Sequence, residues 1–138
     1  MQLNPNDSHI IANASKYYLF FGDLDRAREL IDRAMQLNPL HPGWYWTCLG
    51  TNYYLSGDFE TAAECMRKNT QQGGHDHVWL AMCYHALGET EHAAKSVADA
   101  LAVDDTASVA KYTQWDTYRD PATLEGIRER MAAIGLPA

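Results

Sequence analysis

The pentapeptide Met1-Gln2-Leu3-Asn4-Pro5 returns letter for letter at Met35-Gln36-Leu37-Asn38-Pro39, so the two prolines stand 34 residues apart. A fixed spacing in the thirties marks a repeat array, in which each unit is one helical hairpin that cannot bury its apolar face alone. Other positions keep a similar beat. Gly22-Asp23, Gly57-Asp58 and Gly88-Glu89 each follow an aromatic-bearing segment and open a second one. The interval is 35 residues from Gly22 to Gly57 and 31 from Gly57 to Gly88, which places an irregular join at 71–74.

Small and large residues recur in a matching order. The fullest unit runs Trp46, Leu49, Gly50, Tyr53, Gly57, Phe59, Ala62. Ala14, Tyr18, Gly22, Leu24, Ala27, Ala34 and Pro39 precede it, and Leu80, Ala81, Tyr84, Gly88, Ala93 and Ala100 follow. Ala and Gly stand where two helices touch, Tyr, Trp and Leu fill the space between hairpins, and Gly turns the chain. Residue by residue this pattern resembles the tetratricopeptide repeat (TPR), over about residues 1–105. Asn69 and Gly74 depart from it, standing where the motif prefers Ala and Pro. The resemblance implies an all-α, TPR-type right-handed superhelix of antiparallel helix pairs with a C-terminal capping helix. The chain then divides into three hairpins over 1–105, with 1–5 the remnant of a preceding repeat, and capping helices over 106–138.

Local signals place the helices. Asn6, Asp7 and Ser8 start a first helix over about 8–21. Asp23 caps the second, whose stripe of Leu24, Ala27, Leu30, Ile31, Ala34 and Met35 has helical period, and Pro39 and Pro42 end it. Helices over 44–55 and 59–70, with Asp58 as cap, and over 77–87 and 90–103 make the next pairs. The Gly-rich 71–74 stretch reads as a loose joint. A short helix is expected over 106–115, then Asp120 caps and Pro121 begins a last helix, apolar at Leu124, Ile127, Met131 and Ile134 and stopped by Gly135. Such a helix covers the exposed face of a final repeat.

Composition excludes several classes. A net charge of −7 with interspersed signs does not suit nucleic acid, which needs concentrated Lys and Arg. No apolar run approaches membrane-spanning length, and the N-terminus shows no signal-peptide pattern. Three cysteines, Cys48, Cys65 and Cys83, have no CxxC spacing and read as small buried hydrophobes of a cytoplasmic protein.

Catalytic and metal chemistry find little support. His75, His77, His85 and His92 are close in sequence, yet His75 and His77 lack the i, i+4 or His-x3-His spacing that aims two nitrogens at one ion. Cys83 and His85 point to different faces of one helix, and no nucleophile elbow or phosphate loop occurs. No cofactor, metal or catalytic residue is expected.

The first helix of each TPR-like pair lines a concave groove, and helical spacing assigns residues to that side. These are Lys16, Leu19 and Phe20, with His9 and Ala12; Trp44, Thr47, Thr51 and Tyr54, with Leu55; and Val78, Met82 and His85, with His75 and Ala86. Some TPR adaptors grip a chaperone's C-terminal carboxylate with a Lys/Asn/Arg clamp. Here only Lys16 fits that pattern, since Cys48, His75 and Trp79 hold the other places, so this reading is rejected. An apolar, aromatic groove suits an amphipathic or extended protein segment. The alternative is that these aromatics only pack a tight superhelix.

Tyr118-Arg119-Asp120-Pro121 and the terminal Gly-Leu-Pro, with the 38–45 stretch Asn-Pro-Leu-His-Pro-Gly-Trp-Tyr, are similar to the C-terminal TPR region of bacterial adenylate/guanylate cyclase-linked regulators. The resemblance implies an interdomain or protein–protein contact module cut from a longer chain; a free-standing adaptor is the alternative, and a ligand- or metal-responsive domain using His75, His77 and His85 a third. An unfinished N-terminal end would expose Ile10, Tyr17 and Phe21 and allow self-association through the first hairpin.

Overall fold

Eight helices make up most of the backbone in the computed structural model, which describes residues 5–138, with side chains from Asp7 onward. They are α1 (Pro5–Phe21), α2 (Leu24–Leu37), α3 (Trp44–Leu55), α4 (Phe59–Lys68), α5 (Gly74–Ala86), α6 (Thr90–Val103), α7 (Val109–Thr113) and α8 (Pro121–Ala133). Among the described residues there is no strand, and no helix is long and apolar enough to cross a membrane. The expected 1–5 remnant lies outside the described residues except for Pro5, which is the first residue of α1.

Consecutive helices pair as hairpins, α1 with α2, α3 with α4 and α5 with α6, and each pair packs on the next. The turn inside a hairpin is tight because Gly57 takes φ +85°, a left-handed conformation that a side chain would strain. Gly22 and Gly88 occupy the equivalent place with φ +97° and +78°. Directly after it the new helix is capped. Asp23 accepts from the Arg26 N–H at 3.0 Å and Asp58 from the Thr61 N–H at 3.2 Å, satisfying donors with no partner inside the helix.

Close helix approach depends on missing side chains. A Cβ on Gly50 would stand 2.8 Å from the Met66 Cε and 3.2 Å from the Ala62 carbonyl oxygen, so α3 and α4 meet there. Ala27, Ala34, Ala62 and Ala100 are fully buried at comparable contacts. Two apolar cores result. One joins the first two hairpins through Ala12, Ile31, Tyr45 and Leu49. The other joins the second and third to the C-terminal region through Met66, Val78, Met82, Ile127, Met131 and Leu136.

Several boundaries differ from the sequence expectation, the first being α1, which starts at Pro5 instead of about 8. α4 ends at Lys68, and α5 starts at Gly74 instead of 77. The Asp76 carboxylate reaches back to the Gly73 N–H at 2.8 Å and accepts from the Thr47 hydroxyl at 2.8 Å, which fixes the glycine-rich joint as a helix start. The helix expected over 106–115 is reduced to α7, started by Ser108, whose hydroxyl accepts from the Lys111 N–H.

The C-terminal region does two things. Helix α8 packs against α5, and the chain end returns to α7, where Val109 N–H donates to the Pro137 carbonyl at 2.7 Å. Between α7 and α8, residues 114–120 form a strap that crosses to the first hairpin. Arg119 N–H donates to the Phe20 carbonyl at 2.7 Å, one of the C-terminal carbonyls that an α-helix leaves unpaired. Tyr118 meets Phe20 edge to face at 4.9 Å, and the Arg119 guanidinium lies 4.6 Å from the centre of the Phe21 ring.

Candidate concave cleft

The first helices of all three hairpins face one cleft, and the strap forms its fourth wall. Its volume is about 270 Å³. Helix α1 contributes Lys16, Leu19 and Phe20 because these follow one another at helical spacing on its inner side. Helix α3 contributes Trp44, Thr47, Cys48 and Thr51; α5 contributes His75, Asp76 and Trp79; the strap contributes Asp116 and Tyr118.

Four aromatic rings shape the walls, and several are locked. Trp79 indole N–H donates to His75 Nε2 at 3.1 Å, which requires that nitrogen to be unprotonated. His75 also stands at right angles to Tyr112, 5.5 Å between ring centres. Desolvation holds the imidazole below its ordinary range; Asp76 opposes that and Lys16 adds to it. Trp44 carries the Lys16 ammonium 4.4 Å above its ring centre and stacks near His9 at 5.9 Å.

Charge in the cleft is uneven. Asp76 is satisfied by Thr47 and Gly73. Lys16 has no carboxylate within ion-pair distance among the described residues. Asp116, half-buried in the strap, has no side-chain hydrogen bond or ion pair there either. Desolvation raises its carboxyl above the usual range, with Arg128 pulling the other way.

Of the groove residues expected from sequence, Lys16, Leu19, Phe20, Trp44, Thr47, Thr51 and His75 come together here. Tyr54, Val78, Met82 and His85 do not, nor do His9, Ala12, Leu55 and Ala86. Val78 and Met82 are fully buried in the core shared with α8, so neither presents a surface. Tyr54 is buried against Phe59 and Trp79, and its hydroxyl accepts from Arg130 Nε at 3.2 Å. Arg130 Nη1 also lies 3.0 Å from His85 Nδ1. The physical reason is one helix: α8 lies on the side of α5 that spacing assigns to the groove, and turns that stretch into interior.

Sequence reasoning missed five lining residues as groove members. Cys48 and Trp79 stand out in the sequence as misfits to a carboxylate clamp, Cys48 also as a small buried hydrophobe, and Asp76 lies in the first turn of α5. Asp116 and Tyr118 belong to the tail, where no repeat register indicates which way the chain turns.

Two cysteines are poor nucleophiles by environment. Burial pushes the Cys48 thiol up to about 11 and the Cys83 thiol up to about 12. Both are neutral near pH 7, and a neutral thiol neither attacks nor ligates well.

No family model matches the chain, and no curated protein matches it. Among solved structures it is similar to the first TPR of Spaghetti (RPAP3) bound to the HSP90 peptide SRMEEVD. The TM-score is 0.70 and the identity 14%, over 96% of this chain and 98% of that one. At that identity the likeness establishes the fold, which is all-α and TPR-type.

Proposed function

We propose that this chain is a non-catalytic recognition module that holds a protein or peptide segment against its concave side. The observation that carries this reading is the convergence of α1, α3 and α5 on one aromatic cleft, with Trp44 and Phe20 placed as anchors. Buried aromatic anchors of this kind dominate peptide affinity, and an apolar groove accepts an amphipathic or extended segment. The acidic tail carried by the RPAP3 neighbour does not suit this cleft, which offers one lysine against Asp76 and Asp116. The segment that fits supplies an apolar side chain, and it belongs to another chain or to another domain of the same protein. The similarity of the 38–45 and 118–121 stretches to cyclase-linked regulators supports reading the module as the C-terminal region of a longer bacterial signalling protein.

A random-peptide display selection on the immobilised chain tests the reading. Enriched peptides should lose about 2 kcal/mol or more of affinity in Trp44→Ala, with helical content unchanged by circular dichroism. Peptides indifferent to Trp44→Ala would move the site to another face. An open reading frame running upstream into a catalytic or DNA-binding domain is the check on the longer regulator.

A further inference from the structure

The strap walls one side of the cleft and leaves room beneath it for a compact molecule. The cleft beneath the strap is slightly smaller than the roughly 300–1,000 Å³ of ordinary small-molecule pockets. Its walls hold two groups of opposite charge that form no ion pair among the described residues: the Lys16 ammonium on α1, which lies over the Trp44 ring, and the Asp116 carboxylate on the strap. They do not pair with each other, and Phe20, Trp44, Trp79 and Tyr118 surround the space with aromatic surface.

From this juxtaposition we infer that the strapped cleft binds a compact zwitterion of the free α-amino-acid class with an apolar or aromatic side chain. Its carboxylate would meet Lys16, its ammonium Asp116, and its side chain the ring walls. Charge complementarity favours one molecule bearing both signs. A simple cation would leave Lys16 unmatched beside it, and a simple anion would face two carboxylates. A half-buried carboxylate without a hydrogen bond or ion pair carries a desolvation cost, and a ligand ammonium offsets it with a charge-assisted bond. The strap ties the site to the tail, because Asp116 and Tyr118 lie on the segment whose Arg119 N–H is bonded to the Phe20 carbonyl. This inference goes beyond the segment-binding reading and does not depend on it.

The test is calorimetric titration of the whole chain with free L-leucine, L-phenylalanine and L-tryptophan, together with their N-acetyl and amide derivatives. At least one free amino acid should saturate the site, and blocking either end should weaken it about tenfold or more. Asp116→Asn should reproduce the loss caused by N-acetylation while leaving the N-acetyl form unaffected. Lys16→Met should do the same for amidation. Both side chains reach solvent, so both variants should unfold at the wild-type temperature. Failure of all three to saturate below roughly 10 mM overturns the inference. So does equal binding of blocked and free forms. Neither result touches the peptide selection, which decides the segment-binding reading separately.

Discussion

Asn52 shows what a single buried polar side chain does here. It is 1% exposed, accepts from Arg28 Nε at 2.8 Å and donates to the Leu24 carbonyl at 2.9 Å. One amide therefore ties α3 to the start of α2 and aligns Arg28, whose guanidinium lies 3.6 Å from the Tyr53 ring centre. Asn52→Ala leaves the carbonyl and the guanidinium nitrogen without that partner. A loss of about 1–3 kcal/mol is expected in urea unfolding, and a loss under about 0.5 would show that water takes over both bonds. Nothing in the repeat pattern marks Asn52, because a buried amide in a helix looks like a solvated one until its partners are known.

At the level of helices, most of the fold was readable. The bounds of α3 and α6 follow directly from the Gly-Asp and Gly-Glu turns and from Pro42, even though α3 is apolar on nearly every side. The contact at Ala62 was readable too, since small residues recur at fixed spacing. Ala62→Leu should overpack against α3 and cost about 1–3 kcal/mol, and an unchanged melting temperature would show the helix register to be wrong. The α6–α7 joint was less legible because its order comes from side chains, not periodicity. Asp104 accepts from Lys111 Nζ at 2.7 Å, Thr106 Oγ1 at 2.7 Å and Tyr112 hydroxyl at 2.8 Å. The Lys111, Thr106 and Tyr112 bonds, in that order, hold its carboxyl well below the usual carboxylate range. A depressed folded value means that the unfolded chain binds the proton first as pH falls. The stabilisation is complete above the ordinary carboxylate range and fades as pH drops through it towards the folded value. Asp104→Asn should flatten the decline in stability between about pH 5 and 2; equally steep acid unfolding in both proteins would place the titrating group elsewhere.

At the scale of the molecule, the strap separates this chain from a plain stack of hairpins. Tyr118→Ala should loosen it, so hydrogen exchange at the Arg119 amide should accelerate while the α3–α4 core stays protected. Equal exchange at Arg119 would mean that its bond to Phe20 needs no help from the ring pair. The strap was beyond the reach of sequence because a contact between Phe20 and Arg119 has no periodic signature. A neighbouring face of α1 leaves Ile10, Tyr17 and Phe21 exposed by 68%, 64% and 47%, with Arg119 of the strap over the edge of it at Phe21. A patch of this kind drives association, so sedimentation equilibrium should show a mass that rises with concentration and is restored to the monomer by Tyr17→Glu. A single monomer mass at every concentration would leave the patch without that role.

A linear solenoid is quasi-one-dimensional: each repeat feels only its neighbours, and its ends can fray independently. The hydrogen bond from Arg119 to Phe20 joins points 99 residues apart in a chain of 138, so it closes most of that line into a loop. Loop closure costs entropy that must be met before the contact forms, which raises the contact order above that of an open stack. The hairpins can therefore form quickly and locally, and the ring closes last. Once closed, its first and last elements share one fate, so melting becomes more nearly all-or-none and the cleft exists only while both ends of the chain are folded.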